Sequence, residues 1–162
     1  MGITKIKCRS RRLSVWQMGL AGLFVFSGNA WAGADCPEDT PTRIWVHVDG
    51  MKNDKGTITA SLYDDNARNF LKKGRRIAKE RESASTGAVM VCMPAPGPGM
   101  YAVALYHDEN ANRKFDRNWY GVPKEGHAFS NNAKGRLGPP SHKAAAFTVD
   151  GAEAEIHVRM RY

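Results

Sequence analysis

The chain has 162 residues, with 24 Lys and Arg against 16 Asp and Glu, a formal net charge of +8, and three cysteines. Five of the cations (Lys5, Lys7, Arg9, Arg11 and Arg12) precede the first acid, Asp35; without them the formal charge falls to +3, too mild to argue for nucleic acid. Beyond residue 32 there remain 130 residues, one domain's worth, enough to bury roughly two thirds of the unfolded surface.

The N-terminus reads as a secretory signal, residues 1–32. The basic start is followed by an apolar stretch from Leu13 to Phe26, interrupted by Ser14 and Gln17, and then by Ala30-Trp31-Ala32, with small residues where a signal peptidase inspects them. Cleavage is expected before Gly33. The apolar run is short of the roughly 20 residues a membrane span needs, and no lipobox precedes Cys36, so no stable membrane anchor is expected after cleavage. Ser10-Arg11-Arg12 hints at twin-arginine export, although Ser14 stands where that signal prefers an aromatic. The expected location is periplasmic or secreted.

Residues 33–42 form a mature N-terminal segment, and residues 43–162 the folded domain. Cys8 leaves with the signal, so Cys36 and Cys92 remain, an even pair that reads as a disulfide in an oxidising compartment. Such a bridge closes a loop worth roughly 4 kcal/mol on the chain-entropy model. The alternative is a buried thiol at Cys92 and a free one at Cys36.

From residue 43 the pattern alternates with the period of strands. Ile44, Val46 and Val48 oppose Arg43, Trp45 and His47; after an Asn53–Gly56 turn, Ile58, Ala60 and Leu62 oppose Thr57, Thr59 and Ser61. A weak strand covers Ile77–Glu82 and a clearer one Val89–Cys92; Tyr101–Tyr106, Ala146–Val149 and Ile156–Met160 complete seven. The fold class expected is all-β, a single seven-stranded antiparallel β-sandwich, transthyretin-like or immunoglobulin-like, with at most one short helix. The helical candidate is Asp65–Lys73, capped by Asp64 or Asp65, docked by Phe70 and Leu71 and ended by Gly74. Arg68, Lys72, Lys73, Arg75, Arg76, Lys79 and Arg81 concentrate charge there, which reads as a solvated face or as a docking surface for anionic envelope material.

From His107 to His142 the alternation stops. Phe115, Trp119, Tyr120, Val122, Phe129 and Leu137 supply apolar anchors, so the segment reads as an ordered excursion and the place to look for function. Within it, Asp108, Asn110, Asn112 and Asp116 occupy positions 1, 3, 5 and 9 of a calcium-type loop, with the Lys114 carbonyl at 7. Arg113 stands where glycine makes the sharp turn and Trp119 where a bidentate Glu would close the shell; Glu109 or Glu125 could complete it from another direction. Any calcium binding is expected to be weak. The alternative is a loop held by Asp and Asn side chains bonding their own backbone.

Tyr101-Ala102-Val103-Ala104-Leu105-Tyr106-His107-Asp108-Glu109-Asn110, Gly121-Val122-Pro123-Lys124-Glu125-Gly126, Phe129-Ser130-Asn131-Asn132 and Gly138-Pro139-Pro140-Ser141 follow one another in a characteristic order. Over roughly residues 43–162 the chain resembles a family of exported bacterial proteins known as domain of unknown function 2141. The family pattern has glycine where this chain has Arg113. The resemblance implies a shared fold and leaves the mechanism open.

His47 and His157 read as solvent-facing strand residues, while His107, His127 and His142 bracket the excursion and could meet at a transition metal. Asp108, Glu109 and Glu125 could act as acid and base in glycan hydrolysis. Ser130 and Ser141 lack a nucleophile-elbow context. With no complete catalytic motif, a binding module is favoured over an enzyme. The reading is an exported ligand-binding or accessory module of the cell envelope, using Trp119, Tyr120, Glu125, His127, Phe129 and Asn131 toward an envelope glycan, peptide or protein. The alternatives are a carboxylate- or metal-dependent hydrolase of envelope material and a purely structural envelope component.

Overall fold

Alternating burial along Thr42–Asp49 sets the pattern for the whole computed structural model, which describes residues 35–37 and 39–162. In this first strand, β1, Ile44, Val46 and Val48 are wholly buried and the residues between them half-buried. Seven more strands follow among the described residues: β2 (Thr57–Tyr63), β3 (Ala78–Ser83), β4 (Val89–Ala95), β5 (Gly99–Asp108), β6 (His127–Phe129), β7 (Phe147–Val149) and β8 (Glu153–Arg159). The expected signal segment and its expected cleavage point before Gly33 lie outside the described residues. Among those described, no helix is long and apolar enough to cross a membrane.

The strands form two sheets. One has the order β4-β1-β8; the other has β3-β2-β5-β6, with β7 also pairing with β5. Ile44, Val46, Val48, Val91, Met93 and Val158 from the first sheet join Ile58, Ala60, Leu62, Val103 and Leu105 from the second in one hydrophobic cluster. At about 25 cal/mol per Å² this burial is the main force holding the fold. Strand β2 is buried almost along its length, because its other face is covered too. There Tyr63, Phe70, Ala102 and Ala145 form a second, smaller cluster, with Phe129 packed against it.

Three expectations need correction. There are eight strands instead of seven, because the excursion contains β6, three residues that pair with β5 through Ala104↔Phe129 to Tyr106↔His127. The sheets are not wholly antiparallel: β8 runs parallel to β1, with His47 opposite His157. A hairpin imposes antiparallel neighbours, but β8 follows β7 of the other sheet and reaches β1 by crossing between sheets. Asp65–Lys73 is a series of turns and not a helix. Asp64 and Asn66 accept backbone N–H groups from Asn66 and Arg68, and Leu71 adopts φ 59°, so local side-chain bonds displace helical ones. Phe70 still docks. Among the described residues the one α-helix, α1, is His142–Ala145, with Ser141 capping it by accepting from the Ala144 N–H.

Cys36 and Cys92 are joined in a disulfide, with Cα atoms 5.5 Å apart. The bridge ties the segment before β1 to the strand beside it.

Candidate functional site

Strand β5 delivers the excursion. Its last residues, His107 and Asp108, are wholly buried. His107 Nε2 lies 2.6 Å from the Lys55 carbonyl and Nδ1 2.7 Å from the Tyr162 hydroxyl. A carbonyl only accepts, so Nε2 carries the proton and Nδ1 accepts from Tyr162. The same hydroxyl accepts from the Lys52 N–H at 3.0 Å. His107 therefore pins the β1–β2 connection and the C-terminus to the base of the excursion. His142 is likewise engaged with a carbonyl, that of Asp64, at 2.9 Å. His107, His127 and His142, which could have met at a metal, form no such group among the described residues, because two of the three rings hold separate backbone segments.

Asp108 closes the next turn. Its carboxylate accepts the N–H groups of Asn112 and Arg113 at 3.0 and 2.6 Å. Asn110 Oδ1 accepts from Asn112 N–H and Asn112 Oδ1 from Lys114 N–H, while both amide groups donate to Asp116 Oδ2 at 2.9 Å. Arg113 adopts φ 64°, the left-handed conformation for which calcium loops use glycine. So Asp108, Asn110, Asn112 and Asp116 do converge, wound as the spacing suggested. Glu109 turns away to accept from Asn53 at 2.8 Å.

Glu125 completes the cluster from beneath. It is 5% exposed; Oε2 accepts the Asp116 N–H at 3.0 Å, and buried Oε1 completes no hydrogen bond of good geometry, the Glu109 N–H only approaching the carboxyl. Burial pushes its carboxyl pKa up, against the lowering pull of the Asp116 N–H; nearby Asp108 and Asp116 raise it further, and the Glu109 N–H lowers it. A half-satisfied buried carboxylate beside two others is costly unless it is protonated or meets a cation.

Beyond Asp116 the chain makes a narrow ribbon. Asn118 N–H donates to the Val122 carbonyl, and Asn118 Oδ1 accepts from Tyr120 and Val122. At its tip Trp119 and Tyr120 are 83% and 71% exposed, with ring centroids 3.4 Å apart. Below them opens a groove of about 350 Å³ lined by Phe115, Arg117, Tyr120, His127, Phe129 and Leu137 among others. The Arg117 guanidinium lies 4.7 Å from the Phe115 ring centroid. Burial lowers the His127 pKa, against the Glu125 backbone contact that raises it; Arg117 and Arg161 lower it further.

Of the expected ligand residues, Tyr120, His127 and Phe129 line this groove and Trp119 stands at its rim. Glu125 is buried with the acidic loop instead. Asn131 donates to the carbonyls of Ala144 and Ala146, fastening the turn Ser130–Asn132 to α1. None of the carboxylates Asp108, Glu109 and Glu125 lines the groove. Arg117 lines the groove without having been singled out in the sequence, and Leu137, expected as an apolar anchor, is wholly exposed and lines the groove instead.

Residues 46–157 match the family model described as "Uncharacterized protein conserved in bacteria (DUF2141)". Among solved structures, a protein from Bacteroides ovatus ATCC 8483, described as a "putative adhesin", is similar over 79% of this chain at 12% identity and a TM-score of 0.34. This chain spans 49%, about half, of that protein's length. Comparison with curated proteins gives no match.

Proposed function

This chain belongs to the family of uncharacterized proteins conserved in bacteria, and on that premise we propose that it is an exported, ligand-binding accessory module of the cell envelope. Its two sheets act as a β-sandwich scaffold, and the 107–142 excursion is the binding surface. The carrying observation is the pair Trp119 and Tyr120, held out in water on a ribbon rigidified by Asn118. Large exposed aromatics on an ordered loop offer contact area at low entropic cost. With Arg117 and His127 in the adjoining groove, they suit the faces and hydroxyls of an envelope glycan. Co-sedimentation of the mature chain with insoluble envelope polysaccharide, compared with a Trp119→Ala/Tyr120→Ala variant, tests this. Binding by wild type alone supports the glycan reading; equal sedimentation, or none, removes it. The signal-like segment and the Cys36–Cys92 bridge support the exported location.

Calcium is the second element of the proposal, and Glu125 carries it. Asp108, Asn110, Asn112, Asp116 and the Lys114 carbonyl would hold the ion, with Glu125 Oε1 in place of the missing bidentate Glu. The ion's role would be to rigidify the base of the excursion, and its removal would loosen the groove.

A further inference from the structure

The outward face of the three-stranded sheet carries a second constellation, sharing no residue with the groove or the acidic loop. Strand pairing creates it. His47 of β1 lies in register with Met90 of β4 on one side and with His157 of β8 on the other. Val46 and Val48 point into the core, so His47 and its two partners form a row on the opposite face. The rings of His47 and His157 stack, with centroids 4.5 Å apart and planes 14° from parallel. Two residues before His157, Glu155 brings Oε2 to 3.5 Å from His47 Nε2. One ligand atom from each of His47, Glu155 and His157 lies within 4.8 Å of the other two, the grouping of this kind among the described residues.

We propose that His47, Glu155 and His157 form a binding site for a late first-row transition-metal ion, copper(II) foremost. Two imidazole nitrogens and a carboxylate oxygen are donors that suit such ions, whereas calcium and magnesium demand oxygen throughout. Metal–ligand bonds of about 2.0–2.2 Å place neighbouring ligand atoms roughly 3 Å apart in the tetragonal shell that copper(II) prefers. Stacked rings aim their in-plane nitrogen lone pairs side by side, so closing on one ion takes a turn of the exposed His157 ring out of the stack and an inward swing of Glu155, while the half-buried His47 stays fixed. Copper(II) outranks zinc for a given nitrogen and oxygen donor set. Arg159, the next outward cation on β8, is held 3.7 Å from Asp49, which offsets its repulsion of an incoming ion.

The test is titration of the tag-free chain, disulfide intact and calcium in excess, with Cu²⁺ and Zn²⁺ separately, by calorimetry and electron paramagnetic resonance. One Cu²⁺ per chain is expected, bound at least tenfold more tightly than Zn²⁺, with nitrogen hyperfine structure from two imidazoles. His157→Gln should weaken copper binding at least tenfold. A His157→Gln/Glu155→Gln variant alters only exposed side chains, and its metal-free melting point checks that it folds. Equal copper affinity in that double variant, absence of stoichiometric binding in wild type, or hyperfine structure from a single imidazole would overturn the assignment.

Discussion

Glu125 accepts the backbone N–H of Asp116 with one carboxylate oxygen and keeps the other buried with no hydrogen bond of good geometry, the Glu109 N–H only approaching the carboxyl. Glu125→Gln keeps an oxygen for the Asp116 N–H and removes the charge. In chelator it should raise stability by about 1 kcal/mol, in line with the cost of an unsatisfied buried group, and it should abolish any calcium response. Melting curves with and without calcium check both; a destabilised variant in chelator would show that the carboxylate's charge is already compensated.

Calcium itself should raise the wild-type melting temperature. With an expected dissociation constant of roughly 0.1–1 mM, ion at ten times that value stabilises by about 1.4 kcal/mol. Asp108→Ala should lose this increment and cost a further ~2 kcal/mol, because it orphans the Asn112 and Arg113 N–H groups. A wild-type melting point unmoved by 10 mM calcium would dismiss the ion and leave the hydrogen-bonded loop standing alone.

His127 and Glu125 make opposing contributions to pH dependence. The folded-state pKa of His127 is lowered by burial below its ordinary 6.5. The unfolded chain therefore takes up this proton first as pH falls, and stability declines below about pH 6.5 through the folded value. Glu125 is raised above its ordinary 4.5, so its contribution runs the other way, with stability falling as pH rises from 4.5 through the folded value. Urea unfolding at half-unit intervals from pH 4 to 8 should show the acid-side loss shrink in His127→Gln. An unchanged profile in that variant would place the titrating group elsewhere.

Gly56 sits at φ +69°, and a Cβ there would come within van der Waals overlap of the Asp108 carbonyl oxygen. Both the backbone conformation and the contact exclude a side chain. Gly56→Ala should destabilise by about 3 kcal/mol or more and blunt the calcium response by displacing Asp108. Denaturant midpoints read the first effect and calcium titration the second; a near-neutral substitution would mean that β2 and β5 can separate here without loss.

Tyr162→Phe removes the donor to His107 Nδ1 and the acceptor of the Lys52 N–H. The expected loss is about 1–2 kcal/mol, with faster hydrogen exchange at residues 52–56 and 107–109. Exchange confined to the last two residues would reduce the contact to a surface packing event.

Much of the scaffold was legible because a strand's period of two is written in local chemistry. Ile44, Val46 and Val48, or Ile58, Ala60 and Leu62, announce a buried face wherever their partners lie. The same logic placed Phe70 against the sheet while misjudging Asp65–Lys73, where Asp64 and Asn66 compete for the N–H groups a helix would use. Three residues of β6 were missed, since so short a run is specified by its pairing with Ala104–Tyr106 and hardly by its own composition. At the excursion, Asp and Asn at every second residue announced turns held by their own backbone N–H groups, the alternative to a calcium loop, whereas Glu125 stood only as one of two carboxylates offered to complete the shell.

By itself the sequence determined which faces are apolar, that Cys36 and Cys92 are available to pair, and that residues 107–142 break the strand rhythm. Tertiary structure alone decided which separate segments meet: Tyr162 at His107, Glu125 beneath Asp116, and His157 beside His47 through a parallel pairing. The physical reason is that burial preference belongs to each residue and its neighbours in the chain. Contact between residues 55 or 110 positions apart depends on which strands become neighbours, and that is settled only when the two sheets close over a common core.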